Sequence, residues 1–232
     1  MLVSLTFDVE QDCPPYLNTT LGVEKGLPRI LDLLEEYRVK GTFFFTAKIA
    51  RKYPSLVKRV VEEGHELGCH GYNHERLDKL SKEEAVRSII KSMNVLREFD
   101  DIMSFRAPNL QLPSYLYSTL KENGILVDSS KARYKGYTKK ISYINGVLEV
   151  PTSITSSLLR LPWRIQRPIH DYLNEPKVYF AHPWEFVSMK NVRFDCRFNT
   201  GNKALELLKR LIEYYKNQKA EFILMRDYPR IY

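Results

Sequence analysis

Cysteine is scarce in this chain: three residues in 232, with Cys13, Cys69 and Cys196 far apart and no CxxC pair. An odd, scattered set argues against a disulfide framework and suits a reducing compartment. Long apolar runs are missing too, since none approaches the roughly 18 residues a membrane-spanning helix needs. The opening MLVSLTFDVE has no basic n-region and meets Asp8 after a short apolar stretch. It therefore reads as a first strand rather than a secretory leader. Low-complexity tracts and repeats are absent as well. The expectation from these absences is a cytoplasmic protein.

What is present suits a globular chain with a substantial core: 44% hydrophobic and 28% charged residues. The formal charge of +8 is unevenly placed. Lys131, Arg133, Lys135, Lys139, Lys140, Arg160, Arg164 and Arg167 are opposed by Glu149 alone in their segment. Such a cluster is either a solvated basic face or an attractor of anions, whether a substrate phosphate, a membrane surface or nucleic acid. No nucleic-acid-binding motif accompanies it, so nucleic acid is not expected as a partner, whereas peripheral membrane contact stays open.

Strand and helix patterns alternate along the chain. LVSLTFDV, KGTFFFTA, HELGCH, IMSFRAP, ILVDSS, KVYFAHP and AEFILMRDY read as strands. Between them, helical spacing runs through VEKGLPRILDLLEEYRV, SLVKRVVEEG, KEEAVRSIIKSMNVLREF, PSYLYSTLKENG and GNKALELLKRLIEYYKN. Ser81 and Glu84 form a capping box ahead of the third of these helices. The alternation predicts an α/β fold with about seven parallel strands, as a barrel or an open sheet, in one unit spanning 1–232. Residues 131–175 break the pattern and predict an irregular basic insertion, with an Asn-Gly hairpin turn in YINGVLEV. In either architecture functional groups gather at the carboxyl ends of the strands. Asp8 and Glu10, His70, Arg106, Asp128 and His182 all occupy such ends.

GCHGYNHERL sets His70 and His74 four residues apart after a predicted strand, with Gly71 allowing a sharp turn. Imidazoles one turn apart can reach one divalent ion, and zinc suits them. Asp8 and Glu10, at i and i+2 of a strand, share a face. Buried together they need a cation. Two histidines and one carboxylate leave coordination positions open, which distinguishes catalytic from structural metal sites.

LTFDVE, GTFFFT, EGHELGCHGYNH, SFRAP, VDSS and YFAHPWEF stand in the order and at roughly the spacing of the polysaccharide deacetylase family. This is the NodB-homology group, carbohydrate esterase family 4, and the likeness runs from about residue 2 to 187. HPWE together with DVE is most similar to a bacterial and archaeal branch associated with exopolysaccharide loci. The resemblance implies a distorted (β/α) barrel and a metal-dependent amide hydrolase that removes an N-acetyl group from an acetamido sugar. It implies Asp8 as catalytic base, and Glu10, His70 and His74 as ligands of one divalent ion. Zinc stands first for that ion, with cobalt, nickel, manganese or iron as alternatives. Arg106 resembles the arginine that orients the base, His182 the catalytic acid, and Asp128 the acid that tunes this histidine. The usual motif has adjacent aspartates, whereas here Val9 separates the acids, and Asp12 is an alternative carboxylate ligand.

Tyr16, Pro108 and Trp184 are expected at the substrate site. The basic segment would suit a phosphorylated or lipid-linked sugar. Two other readings compete: an amidohydrolase or deformylase on a different amide, and an inactive glycan-binding protein of the same fold.

Overall fold

The computed structural model describes residues 1–136, 140–190 and 192–232. Lys139, counted in the basic segment, lies outside them. β1 (Leu2–Val9) is buried along nearly its whole length, as a strand covered on both faces must be. It is followed by α1 (Leu27–Glu36), β2 (Thr42–Phe45), α2 (Ala47–Lys52), α3 (Pro54–Glu62) and β3 (Glu66–Cys69). α4 (Lys82–Leu96) carries the expected capping box. β4 (Ser104–Phe105), α5 (Leu116–Glu122) and β5 (Val127–Asp128) follow. The hairpin β6 (Ser142–Ile144) and β7 (Val147–Glu149) turns at Asn145-Gly146, both at positive φ. The chain closes with α6 (Trp163–Tyr172), β8 (Lys177–Ala181), α7 (Phe194–Arg197), α8 (Asn202–Asn217) and β9 (Glu221–Phe222).

Among the described residues these make one nine-stranded sheet, ordered β6-β7-β5-β4-β3-β2-β1-β8, with β9 also on β1. All the pairings are parallel except that of β6 with β7, and the sheet curls into a half-barrel. The excess over the expected strand number comes from the hairpin, whose β7 runs parallel to β5. Ser153, after β7, is tied to β8. Its N–H donates to the Val178 carbonyl at 2.8 Å, and Val178 N–H donates to its hydroxyl at 2.9 Å.

Strand alternation separates two cores. Phe7, Val9, Phe43, Phe45 and Leu67 pack outward with Leu27, Ile30, Val57, Ile89, Met93, Leu208 and Ile212 of the helices. Phe44, Val127, Leu148 and Val178 pack together inside the barrel with Met225 and Tyr228. β1 is polar on its inner face: Ser4, Thr6, Asp8, then Glu10 beyond it. Ser4 lies 3.0 Å from the Tyr228 hydroxyl at one end of this row.

The segment 131–175 is less irregular than its sequence suggests, because α6 lies within it. The side chains that α6 buries are Gln166 and His170. Gln166 donates to the carbonyls of Leu159 and Leu161. A helix anchored by polar residues, with Pro168 inside it, leaves little apolar periodicity to read.

Candidate active site

Register sets the site. Val9, Phe45, Cys69, Phe105 and Asp128 align across β1 to β5. One residue further along the chain come Glu10, His70 and Arg106. On the other side of β1, Phe7 aligns with Ala181, which brings His182 level with Asp8. Parallel strands thus deliver chemistry from distant parts of the chain to one rim.

Glu10 Oε2 lies 2.7 Å from His74 Nε2 and 3.2 Å from His70 Nε2. Each of the three residues offers a ligand atom within 4.8 Å of the other two. Gly71, at φ +76°, turns the chain after His70, and His74 is itself left-handed at φ +59°. Placing His74 there is backbone strain of the kind found at functional sites. Burial pushes the Glu10 carboxyl up, but His74, His70 and His182 outweigh it, and the group sits below the usual carboxylate range. His74 is raised: burial opposes its charge, yet Glu10 more than compensates. His70 Nδ1 is 2.7 Å from the Arg106 carbonyl oxygen, so it carries the proton and leaves the Nε2 lone pair toward Glu10. Among the described residues Glu10 Oε2 has no hydrogen-bond partner. A buried carboxylate oxygen facing two imidazole nitrogens, with ligand atoms of all three residues within 4.8 Å, fits a divalent cation.

Asp8 stands beside this cluster. Arg106, fully buried, donates from Nη1 to Asp8 Oδ1 and to Thr6 Oγ1, both at 2.7 Å. Its Nε and Nη2 reach the Ser129 carbonyl and hydroxyl. The guanidinium lies 4.4 Å from the Phe44 ring centre. That ring depends on Gly68, where a Cβ would come within 2.5 Å of it.

His182 Nε2 lies 3.8 Å from Glu10 Oε1. Its Nδ1 lies 2.8 Å from Glu185 Oε1, and Glu185 Oε2 lies 2.6 Å from Arg160 Nε. Burial opposes the charge on His182, but the bond to Glu185 and the charge of Glu10 raise it to about 9. A cavity of about 300 Å³ opens over Asp8, Glu10, His70, His74 and His182.

Asp128, expected to tune His182, does not face it. Its carboxylate accepts from the Ser130 hydroxyl at 2.7 Å and from Ser130 N–H, with the Tyr117 hydroxyl at 3.3 Å. Glu149 shares that buried pocket, and burial raises both acids above their ordinary range. The acid on His182 is Glu185, because residues i and i+3 of a 3-10 turn eclipse one another. Asp12 spends both oxygens on Thr19, Leu21 and Gly22, outside the ligand cluster.

The three substrate-site candidates separate. Tyr16 lines the cavity half-exposed, under the Arg193 guanidinium. Trp184 also lines it, but only 6% exposed and stacked on the His182 ring at 5.1 Å. Pro108 is buried against Gly71, and its neighbours Asn109 and Leu110 line the cavity in its place. Sequence reasoning assigned no role to Glu185, although HPWE contains it, and counted Arg160 as surface charge. Arg160 is buried, so it forms no exposed face with Arg164 and Arg167.

Contrary to the expectation from sequence, Cys13 and Cys196 are paired in a disulfide, with Cα atoms 6.5 Å apart on the cavity wall. Separated by 183 residues, they gave no spacing signal. The barrel brings the loop after β1 against α7. The cytoplasmic expectation rested partly on unpaired cysteines and loses that support. Among the described residues no helix is long and apolar enough to cross a membrane.

Residues 1–127, more than half of the chain, match the polysaccharide deacetylase family, and the chain belongs to that family. A peptidoglycan-N-acetylglucosamine deacetylase of Bacillus cereus is 39% identical over 113 residues, covering 49% of this chain and 36% of the relative. A bifunctional xylanase/deacetylase of Pseudobutyrivibrio xylanivorans is 31% identical over 193 residues, 82% of this chain and 28% of the relative. The chain thus spans only about a third of the length of these curated relatives. The crystal structure of a peptidoglycan N-acetylglucosamine deacetylase bound to a naphthyl N-hydroxybenzamide matches with TM-score 0.66 at 22% identity. That match covers 96% of this chain and 85% of the other, and it establishes the shared fold.

Proposed function

We propose that this chain is a metal-dependent N-deacetylase that hydrolyses the acetamido group of an N-acetylated sugar, in a polysaccharide or a nucleotide- or lipid-linked form. The observation that carries the reading is the convergence of Glu10, His70 and His74 with the Asp8–Arg106 pair and His182 on one open cavity. Glu10, His70 and His74 would hold one divalent ion, with zinc the first candidate from the donor set. The chemistry such an ion supplies is Lewis acidity, polarising an amide carbonyl and easing deprotonation of water.

The side chains divide the proton transfers. Asp8, oriented by Arg106, takes a proton from the attacking water. His182 gives one to the amine nitrogen as the C–N bond breaks. Assistance of this kind is typically worth about 10²–10⁴ in rate. The names of relatives make peptidoglycan sugars the first substrates to try.

The test is acetate release by protein loaded with Zn²⁺, Co²⁺, Ni²⁺ or Mn²⁺. Substrates are chito-oligosaccharides, peptidoglycan fragments, and UDP- and polyprenyl-linked acetamido sugars, with Asp8→Asn and His74→Ala as controls. Metal-dependent release abolished by both substitutions supports the reading. Glycan binding without turnover under every metal would instead favour a non-catalytic glycan-binding role.

A further inference from the structure

The residues that hold His182 come from outside the family-matched stretch 1–127. Glu185 and Arg160 are both buried, with side chains 1% and 3% exposed. Arg160 makes further bonds beyond its contact with Glu185. Its Nη1 donates to the Phe198 carbonyl at 2.8 Å and its Nη2 to the Asp195 carbonyl at 2.6 Å. Asn199 Nδ2 donates back to the Arg160 carbonyl at 2.7 Å. The guanidinium lies 5.6 Å from the centre of Trp184, the ring that stacks on His182. A buried ion pair is weak evidence for stability, because desolvation offsets most of its attraction. Its observed placement suits orientation better.

We propose that Glu185 and Arg160 are positioning residues for the proton donor: Glu185 holds the His182 imidazole by Nδ1–H with Nε2 toward the cavity, and Arg160 holds Glu185. This rests on the reading of His182 as the donor. As the C–N bond breaks, its electron pair goes to nitrogen, which takes the Nε2 proton. The imidazole is left neutral, with its proton still on Nδ1 and donated to Glu185. Orientation by a carboxylate sets which imidazole nitrogen faces the reacting atoms.

A purely structural role is the competing explanation. Glu185 also accepts from His182 N–H at 3.0 Å, closing the 3-10 turn. Turn closure needs only a neutral acceptor, which glutamine supplies as well. It gives no reason for a buried arginine on the second oxygen. Glu185→Gln therefore keeps the turn and removes the charge.

The test compares two substrates on the metal-loaded full chain. An N-acetylglucosamine oligomer must have its amine protonated to depart, whereas 4-nitrophenyl acetate releases a phenolate that needs no proton. Glu185→Gln should lower kcat on the amide by roughly 10²-fold, with KM within about twofold and ester turnover within about threefold. Arg160→Met should lower amide turnover by about tenfold, and Arg160→Lys should recover most of it. Equal losses on both substrates, or an unchanged amide rate, overturn the proposal.

A readout without turnover is the downfield imidazole N–H proton resonance, assigned by its loss in His182→Asn. It should move upfield in Glu185→Gln, where a neutral amide oxygen replaces the carboxylate on the same two donors, and an unmoved resonance also overturns the proposal. If the resonance behaves as expected but the wild type releases acetate from nothing, the deacetylase reading fails, and with it the donor role, while the hold of Glu185 on the His182 ring stands.

Discussion

The Arg106 carbonyl oxygen lies 2.7 Å from His70 Nδ1, while the guanidinium of the same residue lies 2.7 Å from Asp8 Oδ1. One residue therefore sets the tautomer of a candidate metal-ligand histidine with its backbone and orients the candidate base with its side chain. The sheet register makes this possible: Cys69 pairs with Phe105, so His70 and Arg106 emerge side by side.

That ion pair is buried on both sides. Removing one partner strands a charge, and Arg106→Met should cost about 3–5 kcal/mol of stability. Adding Asp8→Asn to that variant should recover part of the loss. Urea unfolding midpoints decide it; a single variant within about 1 kcal/mol of wild type would contradict the argument.

Loss of a ligand should be felt directly in metal affinity. His74→Ala and Glu10→Gln are each expected to weaken Zn²⁺ binding by at least about 100-fold, by titration calorimetry. Asp12→Asn should change it by less than about threefold, since Asp12 is committed to its own loop. A large loss in Asp12→Asn with little change in Glu10→Gln would move the carboxylate ligand to Asp12.

Acid should weaken the fold through two histidines outside the site. Burial, with Lys40 and Arg59 nearby, holds His65 at about 4. Burial and Lys177 do the same for His170. Between about pH 6.5 and 4 the unfolded chain binds more protons than the folded one at these groups, so stability falls as pH falls, by up to about 1.4 kcal/mol per unit for each. Their contribution is complete above about 6.5. His170→Gln should flatten the dependence relative to wild type across that window, measured by unfolding at stepped pH. An unchanged slope would remove the assignment.

The cross-link between Cys13 and Cys196 predicts a thiol count. Protein matured without reductant and then denatured should show one reactive thiol, Cys69, and three after reduction. Three in both conditions would mean that the pair does not form. Where it forms, the chain-entropy model for so long a loop puts its contribution at up to about 5 kcal/mol.

Local sequence carried much of the architecture. Short apolar runs marked the strands, and Ser81 with Glu84 marked the start of α4, because these signals arise among neighbouring residues. The motifs around Asp8, Glu10, His70, His74, Arg106 and His182 also pointed to residues that meet at one rim, since strand ends in a parallel barrel converge by construction. What depended on tertiary structure was partner choice. Asp128 and Glu185 are both acids near strand ends, and only the pocket shared with Glu149 and Tyr117 takes the first away from His182. Arg160 reads as one more surface cation until the barrel buries it against Glu185. Cys13 and Cys196 become neighbours only when the first and last thirds of the chain meet at one rim. Pairings of this kind depend on contacts between residues far apart in the chain, which no local pattern encodes.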